Sequence, residues 1–234
     1  MLFRTAQSPR TTSILDNELF ADLSPQASRE LLSLGNPLFY PAHATIFAEN
    51  ENVRGIFVMI EGEAKLSINS AEGKRLSLSI ARKGEILGLS STLSGCPYEM
   101  TAETLYPSRI APIGRRELLG FMTRHPQAHQ LLMVEMSRQY SLACEQLRTL
   151  GLSTSVPERL ARLLLHWSEY GERTERGTSI RFSMTHEEVG EFIGASRETV
   201  TRTLAAFKSQ KLVLFSGSIL TIPNMSALAQ YAGC

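Results

Sequence analysis

Arg197, Glu198 and Arg202 lie within six consecutive positions near the end of the chain, at the start of a pattern typical of a helix. An arginine side chain can donate two parallel hydrogen bonds to O6 and N7 of guanine, and a carboxylate can accept one from the amino group of cytosine. Packing inside a protein does not explain such a set on one helix face, whereas the reading of base edges in the major groove of DNA does. The spacing therefore predicts a helix whose outward face recognises a base sequence.

Two short helices joined by a tight turn are predicted to hold this polar set. Thr185 and Glu188 have the spacing of a capping box, which satisfies free backbone donors at a helix start. Gly194 ends that helix with the backbone freedom that a tight turn requires, and Ser196 is a suitable N-cap for the second. The second helix has apolar residues at i, i+4 and i+7, namely Val200, Leu204 and Phe207. An ordinary helical hairpin explains these apolar positions equally well, but only a helix-turn-helix also explains the polar set.

A longer helix is predicted upstream of this pair. Pro126 suits a first helical turn, and the next obvious breaker is Gly151. Apolar side chains recur inside the helix at spacings of 3, 4, 3, 4 and 3 residues, which is a heptad seam of the kind that packs two helices together. The seam consists of Met133, Met136, Tyr140, Ala143, Leu147 and Leu150. It predicts a parallel homodimer, and packing of this helix against its own domain is the alternative.

Short strands are predicted between Phe39 and Ile113, where turn residues interrupt the chain at close intervals. The alternation of Leu76, Leu78 and Ile80 suits a strand with one buried face. The segment EILGLSS (85–91) is also interpreted as a strand. Regular short strands of this kind predict a double-sheet jelly roll or a sandwich.

The residues around the helix pair predict a winged domain. Ser155 and Glu158 cap a further helix that runs to about Tyr170. The other predicted elements are a hinge, a polar loop, a strand and a hairpin, at 151–160, 171–179, 180–184 and 212–222. The predicted fold class is α+β, with an N-terminal β jelly roll, a long dimerisation helix and a C-terminal winged helix-turn-helix domain.

Composition restricts the class of protein. With 43% hydrophobic and 20% charged residues among 234, the chain is typical of a soluble globular protein with room for two cores. Its apolar runs, such as GIFVMI (55–60), are too short to cross a bilayer, and its first residues lack the apolar stretch of a secretory signal, so we expect a cytoplasmic protein. Residues 184–234 hold four bases against four acids. Strong non-specific DNA affinity is therefore not expected, and DNA binding should depend on a few placed contacts and on dimer formation.

The order of jelly roll, long helix and winged helix-turn-helix resembles the CRP/FNR family of bacterial transcription regulators over nearly the whole chain. The string GASRETVTRTLAAFKSQKLV (194–213) is similar to the family's recognition helix, and SGSILTI (216–222) is similar to its wing. The resemblance implies a non-enzymatic homodimer that binds a two-fold symmetric operator in double-stranded DNA, responds to a signal in its N-terminal domain and works with RNA polymerase. It also implies that Arg197, Glu198 and Arg202 read bases. The positions that contact the DNA backbone in relatives are Thr185, His186, Ser196 and Thr199, and for Thr185 and Ser196 a role as helix caps alone is an equal alternative.

Three regions follow from the pattern and the resemblance together. The predicted boundaries are 1–125 for the N-terminal helices and jelly-roll sensor domain, 126–152 for the dimerisation helix and hinge, and 153–234 for the winged helix-turn-helix domain. Residues 1–13 are interpreted as a tail, and 17–35 as short helices with a start at Ser24-Pro25 and an end at Gly35.

The effector pocket departs from the family's cyclic-AMP-binding branch. KGEILGL (83–89) resembles the phosphate-binding cassette in position, but Leu89 stands where that branch has a glutamate for the ribose hydroxyl. The branch's arginine for the cyclic phosphate falls at Glu99 or Met100, which would repel a phosphate or offer it no charge partner. We expect an effector other than cyclic AMP, or none; a response to cyclic nucleotides through a non-standard pocket is the alternative. The predicted pocket consists of Gly84, Glu85, Gly88, Leu89, Ser90, Glu99, Met100 and Thr101.

No cofactor, metal site or enzymatic activity is predicted. The cysteines lie far apart at Cys96, Cys144 and Cys234, without metal-ligand spacing, and Cys96 is either a redox-sensing thiol or an incidental loop residue. His125 and His129 are four residues apart but lack acidic or cysteine neighbours. A cupin-type enzyme needs clustered histidines, and only His43 lies in the strand-rich region. A nucleotide-binding module that acts on another protein would leave the helix-turn-helix string unexplained.

Overall fold

The computed structural model describes residues 23–153 and 155–233. The elements up to Arg124 are α1 (Pro25–Leu34), β1 (Leu38–Tyr40), β2 (Thr45–Phe47), β3 (Gly55–Glu61), β4 (Ala64–Asn69), β5 (Arg75–Ala81), β6 (Ile86–Leu87), α2 (Leu89–Ser94), β7 (Thr101–Thr104), β8 (Ser108–Gly114) and α3 (Arg115–Arg124). The later elements are α4 (Gln127–Leu152), α5 (Val156–Ser168), β9 (Glu172–Thr174), β10 (Gly177–Arg181), α6 (His186–Ile193), α7 (Arg197–Ser209), β11 (Leu214–Ser216), β12 (Ile219–Ile222) and α8 (Met225–Tyr231).

Two compact units divide the chain. The first extends to Ile68 and continues over Ser79–Tyr140, and the second holds Asn69–Leu78 together with the chain from Ser141 onward. Helix α4 therefore contributes its N-terminal half to the first unit and its C-terminal half to the second.

The strand-rich part consists of two four-stranded antiparallel sheets, with the strand orders β1-β8-β3-β6 and β2-β7-β4-β5. The run GIFVMI (55–60) lies in β3 and is apolar throughout because both faces of this strand are buried. Phe57 and Met59 lie in the core between the two sheets, whereas Ile56, Val58 and Ile60 lie in a second core outside the sheet. Because successive side chains of a strand point to opposite faces, a strand with a core on each face must be apolar at every position.

Helices α1, α3 and α4 form that second core. Their buried residues Leu31, Leu118, Phe121 and Leu132 pack against the outward face of β3 and β8. The predicted start and end of α1 are confirmed, since the Ser24 hydroxyl accepts a hydrogen bond from the Ala27 amide at 3.3 Å and Gly35 follows the last turn. Helix α3 was not predicted from the sequence.

The second unit contains the predicted winged helix-turn-helix. Its sheet has the strand order β11-β12-β10-β9, in which β11 and β12 are the predicted hairpin. The core of this unit includes Trp167, Phe192, Phe207 and Leu220 from helices α5, α6, α7 and from strand β12. The fold class predicted from the sequence is thus confirmed, and α8 is an addition to it.

Three local predictions are wrong. Residues 85–91 are not one strand, because β6 ends at Leu87 and α2 begins at Leu89, where the Gly88 carbonyl accepts hydrogen bonds from the Thr92 amide at 3.0 Å and hydroxyl at 2.6 Å. Residues 171–179 are not a polar loop, because β9 and β10 form a hairpin there and β10 pairs with β12. Helix α4 runs through Gly151 to Leu152, since a helix tolerates one glycine at a cost of about 1 kcal/mol.

Some predictions lie outside the described residues. These are the tail at 1–13, the part of the first helical segment before Leu23, and Cys234. Within the described ranges, no helix has the length and apolar character needed to span a membrane.

Candidate nucleic-acid interface

Helix α6 begins and ends through local interactions that the sequence predicts. The Thr185 hydroxyl accepts a hydrogen bond from the Glu188 amide at 3.2 Å, and the Glu188 carboxylate accepts one from the Thr185 amide at 2.9 Å. Gly194 terminates the helix in the left-handed conformation, with φ of 59°. A side chain at Gly190 would collide with the carbonyl oxygen of Ala195, so the turn into α7 passes directly over this glycine. These contacts make the tight junction of a helix-turn-helix.

Helix α7 has one buried and one exposed face. Val200, Leu204 and Phe207 are buried, as their spacing predicts. Arg197, Glu198 and Arg202 are exposed on the other side, so the structure brings together the three residues predicted to read bases. A helix fits the major groove of DNA, and the residues near its N-terminus lie closest to the base edges.

Hydrogen bonds organise this exposed face in the free protein. The Ser196 hydroxyl accepts from the Thr199 amide at 3.3 Å and lies 3.1 Å from the Thr199 hydroxyl, which accepts from Arg202 Nη2 at 3.4 Å. The backbone amide of Glu198, then the Ser196 hydroxyl, lower the pKa of the Glu198 carboxyl below its ordinary value, and the charges of Arg197 and Arg202 act in the same direction. Glu198 is therefore ionised at neutral pH and acts only as a hydrogen-bond acceptor.

Thr201 belongs to the same exposed surface, although the sequence reasoning did not single it out. Its hydroxyl lies 2.9 Å from the Arg197 carbonyl oxygen and 2.7 Å from His186 Nδ1, and His186 is the first residue of α6. Thr201 follows Arg197 by four residues, which places it one turn further along the same side of α7. This spacing predicts from the sequence that Thr201 shares the exposed face with Arg197.

Neighbouring helices hold the end of α6. Gln146 Nε2 donates to the Phe192 carbonyl at 2.9 Å, and Arg159 Nε donates to the Ile193 carbonyl at 2.7 Å. The last carbonyls of a helix lack partners within the helix, so these side chains satisfy them. Thr185, Ser196 and Thr199 each take part in a helix cap. A contact between their hydroxyls and the DNA backbone would be an addition to that capping role.

The residues predicted for the effector pocket include a hydrogen-bonded pair, Ser90 and Glu99. Ser90 lies in the first turn of α2, and its hydroxyl donates to Glu99 Oε1 at 2.7 Å. Leu89 is buried in the core shared with the helices, and Met100 packs against the core between the sheets. The Thr101 hydroxyl accepts from the Glu49 amide at 3.0 Å.

The first part of the cassette is attached to α4. Glu85 Oε1 forms an ion pair with Arg138 Nη1 at 3.0 Å, and Gln139 Nε2 donates to the Ile86 carbonyl at 2.8 Å. Arg138 also makes two hydrogen bonds of 2.8 Å to the buried carboxylate of Glu135, which raise the pKa of the guanidinium above its ordinary value. The glycines of the cassette make backbone contacts: the Gly84 amide donates to the Met59 carbonyl at 2.8 Å, and Gly88 is the N-cap of α2.

Helix α4 exposes much of its apolar seam. Met133 is 72% exposed, Tyr140 73% and Leu147 69%. Met136 instead packs partly against the core of its own unit, and Leu150 is half-buried. The seam is therefore divided in the described chain between residues that pack in their own unit and an exposed apolar stripe.

The remaining candidate residues have separate surroundings. His125 Nε2 lies 2.8 Å from a carboxylate oxygen of Glu30, and His129 Nδ1 lies 3.3 Å from the Pro126 carbonyl oxygen, so the two rings have different partners. Over the described ranges, no three His, Cys, Asp or Glu side chains form a group that could hold a metal ion. Cys96 is exposed and Cys144 is half-buried, both with free thiols.

Comparisons with known proteins agree with this architecture. The family model for the cyclic nucleotide-binding domain matches residues 37–125, and the model for the Crp-like helix-turn-helix domain matches residues 158–231. The chain is similar to a CRP-like cAMP-activated global transcriptional regulator of Mycobacterium tuberculosis, with 26% identity over 92% of this chain and 96% of that one. It is also similar to the transcriptional activatory protein AadR of Rhodopseudomonas palustris, with 27% identity over 82% of this chain and 80% of that one.

A solved structure supports the fold over most of the chain. The structure of FixK2 from Bradyrhizobium japonicum superposes with a TM-score of 0.76 at 20% identity and covers 84% of this chain and 96% of that one. The two matched domains, the exposed recognition helix and the fold lead to one conclusion. The chain belongs to the CRP/FNR family, and it is a transcription regulator with a helix-turn-helix DNA-binding domain rather than an enzyme.

Proposed function

We propose that the protein acts as a homodimer that binds a two-fold symmetric operator, with one α7 helix in each of two major grooves. The exposure of Arg197, Glu198 and Arg202 on α7 is the observation that carries the proposal. Two copies related by a two-fold axis read inverted half-sites about one helical turn apart. Because SRETVxR is the family's string at these positions, the half-site should resemble the family's TGTGA-like element. We propose the bacterial cytoplasm as its location and RNA polymerase as a further protein partner.

The dimer interface is proposed to form along the α4 seam. Met133, Tyr140 and Leu147 leave an apolar stripe uncovered on a long helix. Burial of these apolar side chains would remove them from water and stabilise a dimer. A heptad repeat of such residues packs against a second copy of the same helix. Met136, Ala143 and Leu150 complete the proposed interface.

Backbone contacts are proposed at the starts of α6 and α7. Thr185 is the N-cap of α6 and His186 is its first residue, whereas Ser196 is the N-cap of α7 and Thr199 lies in its first turn. Helix N-termini attract phosphate because their free amides and the helix dipole favour negative charge. His186 would reach a phosphate through Nε2, since Nδ1 already faces Thr201.

Selection of binding sequences from random DNA tests the proposed function. We expect the wild-type protein to enrich an inverted repeat whose half-site centres lie roughly one helical turn, or about 10 base pairs, apart. An asymmetric motif, or half-sites enriched singly, would contradict binding as a two-fold dimer. Failure to enrich any motif would contradict sequence-specific binding as a whole.

The effector is proposed to be other than cyclic AMP, or absent. Glu99 bonds with Ser90 in the cassette region, and a cyclic phosphate brought there would meet a carboxylate. The alternative is a regulator that responds to cyclic nucleotides through a non-standard pocket. Two findings favour that alternative: the match to the cyclic nucleotide-binding domain, and the cAMP-activated relative from M. tuberculosis.

Calorimetric titration distinguishes these two proposals. We expect no saturable heat when cyclic AMP or cyclic GMP is added to the wild-type protein, because the Glu99 charge repels the phosphate. The matched control is Glu99→Gln, which keeps a partner for Ser90 and removes the charge; binding restored in that variant would identify this charge as the barrier. Micromolar binding by the wild type would show that the prediction is wrong, and Arg82→Ala and Lys83→Ala would then reveal which residue meets the phosphate.

A further inference from the structure

The imidazole of His186 lies between α6 and α7. His186 is the first residue of α6, it is half-buried, and its Nδ1 lies 2.7 Å from the hydroxyl oxygen of Thr201 on α7. The same hydroxyl oxygen lies 2.9 Å from the carbonyl oxygen of Arg197, one turn earlier in α7. One oxygen atom therefore links the imidazole ring to the backbone of the recognition helix.

These two contacts determine which nitrogen of the neutral ring carries its hydrogen. A carbonyl oxygen can only accept, so the single hydrogen of the Thr201 hydroxyl is donated to Arg197. The hydroxyl oxygen can then only accept from His186, which requires a hydrogen on Nδ1. A neutral imidazole has one hydrogen on its two nitrogens, so Nε2 of neutral His186 is an acceptor.

A phosphate oxygen is also an acceptor, so it forms no hydrogen bond with the neutral ring at Nε2. Protonation places a second hydrogen on Nε2 and adds a positive charge, and a charge-assisted hydrogen bond is roughly twice as strong as a neutral one. The neutral alternative moves the ring hydrogen to Nε2, and Thr201 must then turn its hydroxyl hydrogen from Arg197 to Nδ1. Because that alternative loses one hydrogen bond and gains no charge, the protonated ring is the better partner for a phosphate.

Charges of both signs surround His186. The charged residues at the adjoining helix starts are Glu187, Glu188, Arg197, Glu198 and Arg202. The Glu188 carboxylate accepts from the amide and the hydroxyl of Thr185. Helix α5 also packs against α6, and its ionisable side chains are bonded elsewhere, Arg159 to the Ile193 carbonyl, Arg162 to Glu158 and His166 to Glu169. The start of a helix favours negative charge and disfavours positive charge, so a proton on His186 is stabilised most when a phosphate lies beside it.

We propose that operator binding is coupled to the uptake of one proton by His186 in each subunit, so that operator affinity rises as the pH falls. The proton comes from the solvent and forms the Nε2–H bond. Imidazole is the side chain that ordinarily changes charge between about pH 5 and 8, so the coupling acts in that range. The inference rests on the proposed function, because it requires a phosphate at the start of α6.

Calorimetric titration with the selected operator counts the protons. The titration is repeated at neutral pH in buffers with different heats of ionisation, and the slope of the observed heat against the buffer heat gives the number of protons taken up. We expect an uptake by the wild type that His186→Arg and His186→Gln lack, because arginine keeps its charge and glutamine never gains one. Equal uptake by the wild type and both variants would assign the protons to other groups and overturn the proposal.

The pH dependence of operator affinity measures the size of the effect. From about pH 8 to about pH 6 we expect the wild type to bind more tightly by about fivefold per half-site, the typical difference between a charge-assisted and a neutral hydrogen bond. The affinities of His186→Arg and His186→Gln should lack this component, with the arginine variant binding more tightly at the higher pH. The other histidines, His43, His125, His129 and His166, lie outside α6 and α7 and are present in every variant, so their contribution cancels.

Nitrogen NMR of the imidazole tests the geometry in the absence of DNA. We expect the hydrogen of neutral His186 to be on Nδ1 in the wild type and in Thr201→Ser, which retains the hydroxyl. In Thr201→Val, which lacks the hydroxyl, the hydrogen should shift toward Nε2, and the proton uptake on operator binding should fall. A wild-type ring with its hydrogen on Nε2 would contradict the inference.

The outcomes separate this proposal from the one on which it rests. If the wild type enriches an operator and binds it without proton uptake, the coupling is wrong and the proposed function stands. If His186→Ala leaves operator affinity unchanged at every pH, the phosphate contact of His186 is wrong and the coupling with it. If the wild type enriches no operator, the proposed function itself is contradicted, and so is the coupling.

Discussion

Arg197→Ala is expected to lower the affinity for the selected operator by roughly 1–3 kcal/mol per half-site, the typical contribution of a bidentate contact to guanine. Both half-sites of a dimer lose the contact, so the total loss should approach twice that value if the two sites are independent. Arg197 is exposed at the start of α7, and its removal leaves no cavity in the core. Sequence discrimination should therefore relax at one G·C pair while the thermal unfolding curve stays unchanged.

Competitive binding measures this effect, with the wild-type operator set against an operator that carries a substitution at the G·C pair. Lys208→Ala is the matched control, because Lys208 is an exposed base at the other end of the same helix. That variant should weaken binding to all sequences alike and reduce the salt dependence, as expected for a phosphate contact. If wild type and Arg197→Ala discriminate the two operators equally, Arg197 does not read a base.

Tyr140→Glu combined with Leu147→Glu is expected to convert the dimer into monomers and to abolish operator binding at concentrations that saturate the wild type. Tyr140 and Leu147 are 73% and 69% exposed in the single chain, so the changes should not disturb the core of the protomer. In the dimer each side chain would be buried, where a large apolar group contributes roughly 1.5–3 kcal/mol and an unpaired carboxylate is strongly unfavourable. A single half-site then holds the protein too weakly for stable binding.

Light scattering measures the mass of each variant, and gel-shift titration measures operator binding in parallel. Glu145→Lys is the control, because Glu145 is exposed on α4 but lies outside the heptad seam. It should remain a dimer with the affinity of the wild type. A wild-type protein that is monomeric at micromolar concentration, or a double variant that remains dimeric, would exclude the seam as the dimer interface.

The sequence alone predicted the elements whose causes lie within a few residues of one another. The helix-turn-helix is the clearest case, since the capping box of Thr185 and Glu188, the turn at Gly194 and the cap at Ser196 each depend on neighbours at most three or four positions away. The apolar and polar faces of α7 follow from the helical period in the same way. The fold class and the predicted base-reading set could therefore be derived before any coordinates were known.

Tertiary structure decided the features whose causes lie far apart in the chain. Residues 171–179 look polar and loop-like, but β10 becomes a strand because β12, about forty residues later, supplies its hydrogen-bond partners. Met136 fits the heptad seam by spacing, yet it turns partly into its own core because α1, α3 and the sheet leave an apolar surface there. Because Met136 is partly buried in its own unit and Tyr140 is exposed, Tyr140 is the better position for a substitution that tests the dimer interface.

The contact between His186 and Thr201 illustrates the same division within the site. The sequence places Thr201 on the outward face of α7, because residues three and four apart share one side of a helix. It does not determine that His186, fifteen residues earlier, is hydrogen-bonded to Thr201. That contact depends on the angle between α6 and α7, which the buried residues Val189, Ile193 and Val200 establish by packing. Local spacing thus determines which side chains face outward, and packing between helices determines which of them hold one another in place.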